Sequence, residues 1–165
     1  MNSGSILHAN HEGVVVLRFV GDIRYMLAPA LDRFLDGAFS EPGLAGFVID
    51  LTGTDGIDST CLGILARIAK RMEIHGRPRI SIVSNRVEIN EVLLSMGLDE
   101  VFEIVTSSVP ETGNSQELAA GETDDATLAR TLLKAHRTLM TLNEHNRELF
   151  REVVSTLERE TAGQS

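Results

Sequence analysis

Cysteine is almost missing from this chain: Cys61 is the only one in 165 residues, so no internal disulfide can form and nothing points to an oxidising compartment. Long apolar runs are missing as well. No stretch approaches the roughly 18 apolar residues of a membrane span, and the opening MNSGSILHANHEG has neither the basic start nor the apolar segment of a leader. A cytoplasmic protein is expected. Cations are scarce: 15 Lys and Arg stand against 24 Asp and Glu, a formal net charge of −9. That balance argues against a nucleic-acid or anionic-membrane surface, since both select Lys/Arg clusters. A protein partner is the better expectation.

The usual catalytic patterns are lacking too. There is no phosphate loop and no Gly-x-Gly-x-x-Gly turn, and Gly53 to Gly56 (GTDG) reads as a loop. His8, His11, His75, His136 and His145 show no metal-ligand spacing, so neither metal nor other cofactor is expected. Cys61 stands just inside a helix start amid apolar neighbours, which reads as a packing cysteine rather than a nucleophile. Asp50 ends an apolar run like the phosphoacceptor of a receiver domain. That family also needs an acidic pair after its first strand and a lysine after its last, whereas the lysines here are Lys70 and Lys134, both on helical patterns. Asp50 is therefore read as a strand-end acid or turn former, and the chain as no enzyme.

What is present is a regular alternation. SILHA and VVVLRFVG flank the turn-forming NHEG and predict a hairpin between Ser5 and Arg24. Leu27, Leu31, Phe34, Leu35 and Ala38 mark a first helix, with Pro29 tolerable only in its first turn. GFVIDL is a short strand, and Leu62, Leu65, Ala66, Ala69 and Met72 line one face of a second helix closed near Gly76. RISIVS, RVEINEVLLSMGL and VFEIV then read as strand, helix and strand. The fold class is α/β, a mixed sheet with parallel strands joined by right-handed βαβ crossovers and packed helices.

After Val105 the composition turns polar and acidic without periodicity. This sets expected bounds: a domain over 1–105, a linker over 106–123 and a C-terminal amphipathic helix over 124–162. In that helix Leu128, Leu132, Ala135, Leu139, Leu142, Leu149 and Val153 recur at steps of four and three, with Asn146 in the gap. Such a seam must pack on something. Asn146 suits the register-fixing pair of a parallel homodimer, whereas Leu133, Met140, Phe150 and Val154 widen the face as docking on the domain or on a partner would require.

The most specific stretch is GIDSTCLG, Gly56 to Gly63, at a strand-to-helix corner. Asp58-Ser59-Thr60 followed by Leu62-Gly63, with FVGDI before it and ISIVS and LLSMGLDEVFEIV after it, resembles the anti-sigma factor antagonist family, the bacterial STAS domains, over roughly Ser5 to Val105. That family reads Asp-Ser-Ser/Thr-Gly-Leu-Gly here. The resemblance implies that Ser59 is a phosphoacceptor, that the partner is an anti-sigma factor with serine kinase activity, and that a PP2C-type phosphatase resets the switch. Binding would hold while Ser59 is unmodified and lapse on phosphorylation. A constitutive scaffold or dimerisation module, indifferent to Ser59, is the other reading.

Two positions depart from the family pattern: Cys61 replaces glycine, and Gly21-Asp22-Ile23-Arg24 replaces Gly-Glu-Leu-Asp, so that Arg24 reverses a charge on the contact loop. The partner-binding residues expected from the resemblance are Asp22, Arg24, Asp58, Ser59 and Thr60, with Thr60 either a second contact or an ordinary first-turn residue. Elementary physics fits a phosphate here, because the N-terminus of a helix favours added negative charge. Ser59 is expected to be the N-cap.

Overall fold

The computed structural model describes residues 3–107 and 114–163. A hairpin opens the chain. Strand β1 (Ser5–His11) pairs antiparallel with β2 (Val14–Ile23) in the register Ser5↔Val20 to His11↔Val14. Glu12 and Gly13 make the two-residue turn, both at positive φ (52° and 89°). Asn10 Oδ1 accepts the Gly13 N–H at 2.9 Å. Glycine is required at 13 twice over, since a Cβ there would also lie 2.2 Å from the Gly43 carbonyl oxygen.

The chain then alternates: α1 (Ala28–Phe39), β3 (Gly46–Asp50), β4 (Thr54–Ile57), α2 (Ser59–Ile74), β5 (Ile80–Val83), α3 (Val87–Ser95) and β6 (Phe102–Val105). The sheet order is β6-β5-β3-β2-β1-β7, with a two-residue β7 (Gln116–Glu117) pairing antiparallel to β1. All the pairs from β2 through β3 and β5 to β6 are parallel, as the alternating pattern predicts. One strand differs from the sequence expectation. Thr54–Ile57, most of it within the Gly53–Gly56 stretch read above as a loop, is β4: it pairs parallel with the last residues of β2, beyond the point where β3 ends, across a register shift at Gly21/Asp22. Asp55 and Gly56 are poor strand formers, and tertiary pairing overrides them; the Thr54 hydroxyl, fully buried, donates to the Phe19 carbonyl at 2.6 Å.

The core is continuous. Phe19, Leu17, Ile23, Leu31, Leu35, Ile49, Leu62, Leu65 and Phe102 are all essentially inaccessible, and Leu133, Ala135, Leu139, Phe150, Val154 and Leu157 from the C-terminal region join the same cluster. That region is two helices rather than the single one expected: α4 (Asp125–Met140) and α5 (Glu144–Ala162) fold back on each other. The break has a local cause. Thr141 carries the last N–H bonds of α4, and Asn143, extended at φ −161°, caps α5 by accepting from Asn146 N at 2.8 Å.

The break also resets the phase of the apolar seam. In α5 the inward face is Asn146, Phe150, Val154 and Leu157, while Leu149 and Val153 of the expected seam stand 49% and 41% exposed. Of the alternatives left open for the tail, the structure shows docking on the chain's own domain, with α4 against α2 and α1. Asn146 is fully buried within the chain: its Nδ2 donates to Met96 O and to Leu139 O, both at 2.8 Å. Part of the expected linker is ordered, since Gln116–Glu117 is β7 and Leu118 N donates to Ile6 O. Residues 108–113 lie outside the described residues.

Candidate functional site

Two parallel strands, β2 and β4, end side by side and deliver Arg24 and Asp58 to one corner. The pairing continues one step further, because Asp58 N donates to Ile23 O at 3.0 Å. Asp58, not Ser59, is the N-cap of α2: its backbone is extended and its Oδ1 accepts from Cys61 N at 3.0 Å. Its other oxygen, Oδ2, accepts from Tyr25 N at 2.7 Å. One carboxylate thus starts the helix and fixes the 3₁₀ turn Tyr25–Leu27 that leads into α1.

Ser59 occupies the first position of the helix, so its hydroxyl is free of capping duty. It lies instead 2.9 Å from His136 Nε2 on α4. His136 Nδ1 sits 2.7 Å from the Leu132 carbonyl, which cannot donate, so in the neutral ring the proton is on Nδ1 and Nε2 presents a lone pair to the Ser59 hydroxyl. His136 itself is 5% exposed, with its ring edge-on to Phe150 at 5.0 Å between centroids.

The corner's other residues divide. Arg24 is exposed and makes an ion pair with Asp22 at 2.8 Å, a hydrogen bond that raises the guanidinium above its ordinary value. Asp22 is half-buried, and Arg24 lies close enough to Asp58 to feel its charge. Thr60 is buried in the first turn of α2. Cys61 is fully buried as a packing residue, with Sγ 3.3 Å from the Arg24 carbonyl. Burial, with Asp58 adding repulsion, pushes its thiol well up.

Asp50 works as a turn former. It is buried, and its Oδ1 accepts from both the N–H and the hydroxyl of Thr52, at 2.9 and 2.7 Å. Among the described residues no cluster of three His, Cys, Asp or Glu side chains could hold a metal ion, and no helix is long and apolar enough to cross a membrane.

Sequence reasoning missed His136 as a site residue. Position 136 sits between Ala135 and Leu139 on the inward face of α4, and a lone histidine in an apolar stripe is the signal that was available. What it touches is set by a helix packing that the pattern alone does not specify. Gly63 explains the closeness of that packing: a Cβ there would fall 2.4 Å from the Ala135 carbonyl oxygen, so glycine lets the backbones of α2 and α4 approach. Lys70 Nζ donates to Thr141 Oγ1 at 2.5 Å, and Asp32 of α1 takes both Arg67 and Lys134 at 2.8 Å, tying three helices together.

Three solved structures share this architecture. A Mycobacterium paratuberculosis protein described as an anti-sigma factor antagonist is 26% identical, with a TM-score of 0.52 over 64% of this chain and 87% of its own. A Thermotoga maritima protein given the same description provisionally is 22% identical, with a TM-score of 0.54 over 61% and 85%. The unphosphorylated form of the anti-sigma factor antagonist SpoIIAA is 12% identical, with a TM-score of 0.53 over 63% and 89%. No curated protein sequence matches. The model of the STAS domain matches residues 6–111, well over half of the chain, and its bounds enclose the β2/β4 corner, Asp58 and Ser59: the chain belongs to the STAS domain family.

Proposed function

We propose that this chain is an anti-sigma factor antagonist acting as a partner switch, in which Ser59 is the phosphoacceptor and the rim of Asp22, Arg24 and Asp58 forms part of the partner-binding face. The observation that carries this reading is the division of labour at the corner. Asp58 does the capping, which leaves the Ser59 hydroxyl at the helix start with only a side-chain partner. The family match and the 26% identical antagonist support the general role.

Phosphorylation would transfer a phosphoryl group from a nucleoside triphosphate held by the partner kinase to Ser59 Oγ, with loss of the hydroxyl proton and departure of the diphosphate. The modification adds about −1.5 to −2 charges at a helix N-terminus, where the dipole and free N–H groups tolerate them, so it changes the interface without unfolding α2. A PP2C-type phosphatase would reverse it. The chain is then a binding module and a substrate, not an enzyme, working in the cytoplasm.

Peptide mass mapping after incubation with the anti-sigma factor and ATP tests the site: modification confined to Ser84, which is fully buried, or to Thr60 would overturn it. Titration calorimetry tests the switch. Ser59→Ala should bind the anti-sigma factor without responding to ATP, and Ser59→Asp should bind more weakly. Equal affinities would favour the constitutive scaffold, a reading that has one specific observation behind it, the engagement of Ser59 by His136 beneath α4.

A further inference from the structure

We infer that the α4–α5 hairpin is an intramolecular occupant of the Ser59 corner, and that the docked hairpin and a phosphate on Ser59 exclude each other. This rests on the reading of Ser59 as a phosphoacceptor. The contact that closes the hairpin over the corner is the Ser59 Oγ to His136 Nε2 bond of 2.9 Å, and its chemistry is one-sided. Ser59 supplies the proton, because the His136 ring proton is committed to the Leu132 carbonyl on the opposite edge. Phosphorylation removes that donor proton, so the hydrogen bond in its present form is lost.

Sterics point the same way. A phosphoryl group extends beyond Oγ into the space that the buried His136 ring fills, backed by Phe150. α4 has no slack with which to accommodate it, because the backbone at Ala135 already rests where the Cβ of any residue larger than glycine at position 63 would lie. Interiors packed this closely respond by switching contacts rather than by stretching. The hairpin must therefore lift from the start of α2 when Ser59 is modified.

Coupling of this kind is reciprocal. If the phosphate expels the hairpin, the docked hairpin withholds Ser59 from the kinase, and any partner that covers the α2 start competes with residues of the chain's own tail. The other attachments stand away from Ser59: Asp32 to Lys134, Lys70 to Thr141, and Asn146 to Met96 at the turn between α4 and α5. They hold the hairpin locally when the corner contact is lost. The acidic segment over 106–123 joins it to the sheet, so a lifted hairpin stays tethered at high effective concentration.

Amide hydrogen exchange on the full chain, with phosphoserine placed at position 59 during translation, tests the exclusion directly. Amides of residues 131–139 should exchange at least tenfold faster than in the unmodified chain, while those of β3 and β5 stay protected and report an intact fold. Two further full-length chains carry unmodified Ser59. Gly63→Ala should open α4 by the steric route alone, and His136→Ala should raise exchange there by up to about tenfold, the worth of one hydrogen bond. Undiminished protection of α4 in the phosphoserine chain would overturn the inference, whatever its affinity for a partner. Opening of α4 with no change in anti-sigma factor affinity would leave the inference standing and sink the partner switch instead.

Discussion

Replacing Asn146 by leucine separates two ways of using the same buried amide, because they give opposite signs. In a parallel coiled-coil dimer, a seam asparagine costs stability and confers register, so an apolar replacement stabilises. In this structure the amide is a bracket across the turn between α4 and α5. Its Nδ2 serves Met96 O and Leu139 O at 2.8 Å each, and its Oδ1 has no partner among the described residues.

The substitution removes that unpaired oxygen, a gain of about 1 kcal/mol, and strips a donor from two carbonyls. Leu139 O keeps the Leu142 N–H at 3.1 Å, so its loss is one ordinary bond, about 1 kcal/mol. Met96 O loses its bond to this side chain in a part-buried setting, about 2 kcal/mol. The net is a destabilisation of about 2 kcal/mol. With a urea slope of about 2 kcal/mol/M, the unfolding midpoint should fall by about 1 M. Equilibrium urea unfolding followed by circular dichroism measures this, alongside sedimentation of both proteins. A midpoint that stays put or rises, together with a sedimenting dimer, would refute the intramolecular bracket.

Three further outcomes follow from the corner. Asp58→Ala removes the α2 cap and the tie to Tyr25 N, a loss of about 1–2 kcal/mol, so the melting temperature should drop by about 5 °C; calorimetry checks this, and an unchanged Tm would mean that the carboxylate fixes neither element. Cys61, buried and with its thiol pushed up, should resist iodoacetamide at mildly alkaline pH in the native chain and react fully in concentrated guanidinium. Fast native labelling would place that thiol at the surface. Arg24→Glu turns an exposed attraction to Asp22 into repulsion, and should alter anti-sigma factor affinity while leaving Tm unchanged; a large fall in Tm with intact affinity would make Arg24 a structural residue.

The parts of the fold that were legible in the sequence are those whose information is local. The Asn10 to Gly13 turn, the first-turn Pro29, and the apolar faces of α1 and α2 each carry their own geometric requirement, and the structure places them where the pattern does. Strand β4 was not legible, because Thr54-Asp55-Gly56 has no alternation to read and owes its extended form to tertiary pairing with β2. The tail was legible as amphipathic but not as two helices. Steps of four and three run through Asn146 as though the chain were continuous, while the cap at Asn143 ends one helix and starts another at a different phase. A capping asparagine inside a seam is a weak signal against seven matching apolar positions.

At the corner, Asp58-Ser59-Thr60 marked the place and left the roles to be sorted by backbone geometry. Three residues that can all cap a helix start cannot all do so, and the one whose backbone is extended as the strand ends takes the position. That is Asp58, at the end of β4, and the choice displaces Ser59 onto the helix, leaving its hydroxyl free of capping. Gly63 shows the same dependence on what lies outside its own element. Within α2 a mid-helix glycine is only a cost of about 1 kcal/mol against alanine, and nothing in the helix explains it. Set against the Ala135 backbone it becomes the residue that admits α4, and with α4 comes the histidine that holds Ser59. A reading confined to the sheet and its first three helices finds the serine; only the packing of the tail shows what occupies it.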